Sequence, residues 1–310
     1  MTTAAVRHDT TEQSGVQAQQ PSERKRIKSA YPRWFYLPAA IVYFGLFVVP
    51  TFASFYFAFT RWSIFTTQFI GLDNFREFFQ DPQLTKAFTN TLIYAVLTSG
   101  LKVVLGMLLG IFLTSQILAR GYLRSVVFFP VLVSTVGVGI TFTALMNPEH
   151  GVINNALSAV GLHGPGWLTD PNLALYSIGL VDVWKGVGLA TVIYIAGITA
   201  IPQEYIEAAR IDGAGRIALL RHVILPLLWP ATSTVIILSL IGGLRSFDLI
   251  WTTTRGGPGF SSDVVASVIY KEYEAGFYGL STAGNVILFL VVTAIIVPLT
   301  RFLTKRQVEL

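Results

Sequence analysis

The chain has 310 residues, of which 53% are hydrophobic and only 13% charged, and it contains no cysteine. Soluble chains carry about 25% charged residues, so most of this surface does not face water, and disulfide frameworks, thiolate nucleophiles and thiolate metal sites are excluded. The formal net charge of +5 comes from basic residues at the ends of apolar runs, which argues for a membrane partner and against nucleic acid.

Residues 1–34 are polar and rich in Ser, Thr and Gln, with a basic cluster at Arg24–Lys28. They read as a disordered cytoplasmic tail ending in a topogenic patch. A cleaved signal peptide is not expected, because the first apolar run is too long and too late. A spanning helix needs about 20 largely apolar residues. Six runs qualify: Phe35–Thr60, Phe88–Gln116, Ser125–Pro148, Leu173–Ala200, Val223–Trp251 and Ala275–Thr300. With the N-terminus inside, 14 of the 22 basic residues fall on inner segments and 5 on outer ones. The positive-inside bias therefore puts both termini in the cytoplasm. The chain divides into the tail, a first span with its outer loop (35–87), and a core of five spans (88–310).

The outer segments read as folded. Gly71–Pro82 suits a short amphipathic helix, and Asn147–Pro171 a helical hairpin punctuated by Asn and Gly. The stretch Arg255–Ser262 has glycines but no following Lys, so it reads as a turn and not a phosphate cradle. Gly106 and Gly110, four residues apart, suit close helix packing. The four histidines are scattered, without metal-like spacing, and no nucleophile–base pair is readable. No catalytic residue, metal site or cofactor is expected in this chain.

Between spans four and five lies a polar insert, 201–222. Pro202 suits a first helical turn, and Glu204 and Glu207 put negative charge near that N-terminus. Ala208 and Ala209 let another surface approach closely. Asp212-Gly213-Ala214 breaks the helix, with Gly213 allowing positive φ, and a second short helix runs from Arg216 toward Pro226. The result is a stiff helix-turn-helix knob, read either as a lever or as a solvated linker.

Ionisable residues inside spans are expensive and mark functional positions. Span four carries Asp182 and Lys185, which share a helical face with Gly186 and Leu189. Span five carries Ser239, Gly243 and Ser246 on one face, with Arg245 and Asp248 one turn apart. These residues suit a polar pathway, or intramembrane ion pairs Asp182–Lys185 and Arg245–Asp248 that fix packing. Lys102, on span two, reads as a structural partner, a contact of a second subunit or a pathway contact.

Glu207-Ala208-Ala209, Gly213 after three intervening residues, and Leu225-Pro226 at the right spacing resemble the EAA loop of binding-protein-dependent ABC importer permeases; Val223 stands where that pattern prefers Ile. Stretches such as "FIGLDNFREFF", "GVINNAL", "SFDLIWTTTRGGPG" and "YGLSTAGNVILFL" extend the resemblance, from about residue 35 to the end, to carbohydrate-importer permeases of the MalF-like type. The maltose prototype has extra N-terminal spans and a large outer loop that this chain lacks. The resemblance implies an all-α, six-span type I importer permease (MetI-like) fold. It implies a subunit that moves a sugar, a di- or oligosaccharide, and is not itself an enzyme. The knob (Glu207, Ala208, Ala209, Asp212, Gly213, Ala214) becomes a coupling helix seated on an ATPase. The implied partners are a second homologous (MalG-like) permease, two ATPase subunits that hold ATP and magnesium, an extracytoplasmic solute-binding protein and the lipid bilayer. The implied pathway residues are Asp182, Lys185, Gly186, Leu189, Ser239, Gly243, Arg245 and Ser246. A polyol, glycerol phosphate or acidic sugar is the alternative cargo, and a gradient-driven transporter the alternative class.

Overall fold

The structure, a computed structural model, describes residues 33–305 apart from residue 64. Residues 1–32 of the expected tail, with the Arg24–Lys28 cluster, lie outside the described residues. Of the described residues, those up to Val49 and those from Pro50 onward form separate compact units. In the first, a 3-10 turn (Arg33–Tyr36) leads into α1 (Leu37–Tyr43), with Pro38 in its first turn, where no backbone donor is lost. A π turn, Phe44–Val48, follows, and the Tyr43 and Phe47 rings stack at 5.3 Å. Trp34–Phe57 is helical over 24 residues and apolar enough to cross a membrane.

The second unit opens with the rest of α2 (Val49–Phe57). A hairpin follows, β1 (Thr60–Trp62) and β2 (Thr67–Phe69), in the register Thr60 opposite Phe69. The expected amphipathic helix is α3 (Asp73–Gln80), which buries Phe78 and Asn74. Asn74 Nδ2 donates to the carbonyls of Ala58 and Thr60, both at 2.9 Å, and so ties the hairpin's base to α3. Asp81 caps α4 (Pro82–Thr114), its carboxylate accepting from the Gln83 N–H at 2.7 Å. At 33 residues, α4 is about 50 Å long at 1.5 Å per residue.

The third expected span is not one rod. It is α5 (Arg120–Leu132) and α6 (Thr135–Leu145), bent by 97°. Pro130 weakens the end of α5, and Val133 and Ser134 then take extended ψ angles of 139° and 133°. The expected hairpin at Asn147–Pro171 has one helical arm only, α7 (Val152–Ala159). Gly161, Gly164, Pro165 and Gly166 deny the second arm a helix; Trp167 Nε1 instead donates to Asn154 Oδ1 at 2.7 Å and folds the return strand of chain onto α7.

Next come α8 (Ala174–Thr199), α9 (Gln203–Ile211) and α10 (Arg216–Leu219). A π turn, Leu220–Ile224, and α11 (Leu225–Leu227) lead into α12 (Trp229–Leu244). The two limbs of this fifth span meet at 63°, between Pro226 and Pro230. Then follow α13 (Asp248–Thr253), α14 (Val265–Glu274) and α15 (Tyr278–Thr304). Among the described residues four helices are long and apolar enough to span, and six spans result if each bent pair counts as one.

α4 is the central strut, packed on α8 and α12. A Cβ at Gly106 would lie 2.6 Å from Ala190 Cβ, and one at Gly110 2.7 Å from Tyr194 Cβ. The small pair therefore sets the α4–α8 approach, as its spacing suggests. Near the other end of α4 a buried polar clamp holds the loop before α14. Asn90 Nδ2 donates to the carbonyls of Ser261 (2.9 Å) and Asp263 (2.8 Å). The buried Asp263 carboxylate accepts from Lys271 Nζ at 2.7 Å and Ser267 Oγ at 2.8 Å.

Candidate functional site

Two features stand out, one at each functional stretch of the sequence. The first is the knob. Pro202 starts α9, and Glu204 sits in its first turn. The helix ends in a tight cap: the Gly213 N–H donates to Arg210 O and the Ala214 N–H to Ala209 O, at 3.0 and 2.9 Å. Gly213 has φ +83°, a region that costs an L residue about 1–2 kcal/mol. No residue of α9 or α10 is buried. Glu207, Ala208, Asp212 and Gly213 are exposed, and Ala209 and Ala214 half-buried. Ile211 and Ile217 are 85% and 81% exposed. The pair of short helices thus leaves two isoleucines and a carboxylate open.

The second feature is inside the helix bundle. Lys102 Nζ donates to Asp182 Oδ2 at 2.7 Å, with the lysine side chain 9% exposed and the aspartate 23%. This replaces the expected Asp182–Lys185 pair. Residues three apart on one helix compete with a cross-helix partner, and the geometry chooses α4. Gly186 makes it possible: a Cβ there would fall 2.7 Å from Lys102 Cε. Lys185 is half-buried and, among the described residues, has no ion partner. The Tyr94, Thr98 and Lys102 side chains, one turn apart on α4, are all buried and form a polar stripe in an apolar core.

A cleft of about 110 Å³ opens beside this pair, lined by Lys102, Gly186, Leu189, Leu238, Ser239 and Gly242, among others. It brings together three of the eight expected pathway residues: Gly186, Leu189 and Ser239. Gly243 is not among them. It is buried against α4, where a Cβ would lie 2.6 Å from Ala95 Cα, and its neighbour Gly242 lines the cleft instead. Ser246 does not continue the Ser239 face either, because α12 ends at Leu244. Arg245 (φ −104°, ψ 12°) and Phe247 (φ −137°, ψ −60°) leave the helix before α13 begins at Asp248. The expected Arg245–Asp248 pair, which needs a continuous helix, is therefore absent; both side chains are exposed, with no ion partner among the described residues. Lys102 lies in the sequence as the single charge of an otherwise apolar run; its role as the Asp182 partner is the signal that a spacing argument confined to one helix passes over.

No group of three or more His, Asp or Glu capable of holding a metal occurs among the described residues. What the cleft offers is shape, hydrogen bonding and a neutralised charge pair.

Comparison with known proteins bears on both features. Residues 102–308 match the family model described as the binding-protein-dependent transport system inner membrane component. A probable ABC transporter permease protein, YurN, of Bacillus subtilis is 32% identical over 285 residues, 89% of this chain and 97% of that protein. The trehalose/maltose transport system permease protein MalF of Thermococcus litoralis is 31% identical over 258 residues, 83% of this chain and 88% of that one. Among solved structures, a chain of a bacterial alginate ABC transporter, in complex with an alginate pentasaccharide-bound periplasmic protein, superposes with a TM-score of 0.76. It is 25% identical and covers 86% of this chain and 91% of its own.

Proposed function

We propose that this chain, which belongs to the family of binding-protein-dependent transport system inner membrane components, is the transmembrane permease subunit of an ATP-driven sugar importer, with a di- or oligosaccharide as its cargo. It is a multi-pass membrane protein, and the proposal places both termini and the α9–α10 knob on the cytoplasmic side. The positive-inside bias supports that orientation.

The observation that carries the proposal is the knob. Its helix-turn-helix is capped and stiff, its isoleucines are uncovered, and it leads through α11 directly into α12, which lines the cleft. On this reading the energy comes from outside the chain. Two separate ATPase subunits, holding ATP and magnesium, would seat the knob, and their closure would swing α12. A second homologous permease would complete the pathway. A solute-binding protein outside would dock on the hairpin, α7 and the loop before α14. A sugar is favoured as cargo by relatives named for trehalose/maltose and multiple-sugar transport. Lys185 and Arg245, which have no ion partner among the described residues, favour an anionic solute as the second reading, alongside a relative named for sn-glycerol-3-phosphate.

The test is reconstitution of the chain with its copurifying subunits in proteoliposomes. ATP-dependent uptake of a neutral di- or oligosaccharide is expected. Uptake that survives ATP depletion and dies with an ionophore would overturn the reading.

A further inference from the structure

The break between α12 and α13 creates a second cleft. Non-helical backbone at membrane depth is tolerated where it is buried in protein or lines a cavity, and here Phe247, the last residue of the break, opens onto a cleft of about 410 Å³ that it shares with α14 and α15. That volume is within the range of about 300–1,000 Å³ usual for small-molecule sites. Its walls are the rings of Phe247, Tyr270 and Tyr273, the side chain of Ile269, and the polar Ser281 and Asn285.

The rings are organised. Phe247 and Tyr270 have centroids 5.2 Å apart, Trp251 and Tyr270 4.7 Å, and Tyr270 and Tyr273 lie at 6.3 Å with planes within 29°. The series runs on through Tyr278 (5.2 Å from Tyr273) to Trp62 on the hairpin (5.4 Å from Tyr278). Of the polar groups, Ser281 Oγ already donates to the Ile269 carbonyl at 2.9 Å; the others are open. The Tyr270 and Tyr273 hydroxyls have no hydrogen bond among the described residues. Asn285 uses its Nδ2 on the Ser281 carbonyl at 3.3 Å, which leaves its Oδ1 free to accept. No lining residue is charged; the nearby Lys271 is turned away onto Asp263 at 2.7 Å.

Flat apolar rings edged by unpaired hydroxyl and amide groups, without charge, match one ligand chemistry: an uncharged pyranose, whose C–H faces lie on rings while its hydroxyls take the polar rim. We infer that this cleft is a second sugar site, a stacking station between the hairpin end of the molecule and the smaller cleft at Ser239. Ser239 and Leu244 are five residues apart on α12, about 7.5 Å at helical rise, and the three non-helical residues on to Phe247 add at most about 11 Å, so an oligosaccharide of a few units is long enough to span the interval. The inference rests on the import reading above and adds a selection step to it: this station favours neutral sugars whatever the deeper charges admit.

The chain's lack of cysteine makes the test direct. Tyr273→Cys, and separately Ala266→Cys as the milder change on the same wall, give a single thiol in this chain within the complete transporter in proteoliposomes. The rate of modification by a charged methanethiosulfonate is measured with maltose, trehalose, maltotriose or sn-glycerol 3-phosphate present, and uptake of the same four probes is measured on the unsubstituted transporter. The expected result is ready modification, slowed about tenfold by the transported neutral sugar at ten times its dissociation constant and unaffected by glycerol phosphate. Tyr270→Ala should raise KM for that sugar roughly threefold to tenfold. Uptake of a sugar that gives no protection overturns the station and leaves the import reading standing. Modification of the isolated chain but not of the assembled transporter assigns the cleft to the partner permease, and modification of neither assigns it to lipid; both overturn the station. Failure to take up any of the three sugars overturns the import reading itself.

Discussion

Replacing Asp182 by Asn strands Lys102. The lysine side chain is 9% exposed and its ammonium has the aspartate as its partner at 2.7 Å. Removing one member of a buried pair costs about 3–5 kcal/mol, because the other charge is left uncompensated. The two directions are unequal. Asp182 is 23% exposed, so after Lys102→Met water reaches the carboxylate and the loss should fall below that range, near 2 kcal/mol by the same reasoning. The double variant, Lys102→Met with Asp182→Asn, removes both charges and should recover most of the stability. At roughly 2–4 °C per kcal/mol for a chain of this size, Asp182→Asn should lower the melting temperature by about 6–20 °C. Thermal unfolding of all four proteins in the same detergent reads these values. Asp182→Asn melting with the parent protein, or the double variant melting below both single variants, would refute the pair as the anchor between α4 and α8.

Gly213→Pro cannot adopt the φ of +83° that the cap requires; uptake should be lost while the protein remains in the membrane and the ATPases still hydrolyse ATP, read as transport per ATP consumed. Gly106→Val should cost about 1–3 kcal/mol, since its Cβ would meet Ala190 Cβ at 2.6 Å; thermal unfolding checks it. Glu272, on α14, has its pKa raised by burial first and then by the nearby Asp81 and Glu77. The folded protein therefore binds this proton more tightly than the unfolded chain, so the stability it contributes is full below the ordinary glutamate range and is lost as pH rises through the raised value. Glu272→Gln should flatten that dependence in melts taken between the ordinary glutamate range and neutrality; an unchanged slope would contradict the assignment.

Much of this was legible in the residues. The knob reads directly, because Pro202, the paired alanines and Asp212-Gly213 are local signals whose geometry needs no distant partner. The α3 helix reads for the same reason, from the spacing of Phe75, Phe78 and Phe79. What the sequence hides is what distant segments do to one another. Within span four, Lys185 is the nearest opposite charge to Asp182, yet the structure pairs Asp182 with a lysine 80 residues away through the gap that Gly186 leaves. Gly242 and Gly243 look equivalent on paper, but only contact with Ala95 decides which one packs and which one lines. The breaks after Leu132 and Leu244 fall inside apolar runs, where hydropathy is silent and a continuous helix is the natural expectation. The aromatic cleft draws on Phe247, α14 and α15, and no single stretch announces it.

The central claim is that α9 and its turn take the stroke from a separate ATPase and pass it to α12. Ile211→Cys puts one thiol on the knob of a chain that otherwise has none, at a position 85% exposed. Cross-linking it, in the assembled transporter, to a single-cysteine ATPase should give one adduct whose yield changes with ATP and blocks uptake when formed. An Ile211→Cys thiol that instead reacts with an impermeant reagent from outside the cell, or that never joins the ATPase in any nucleotide state, would contradict the account.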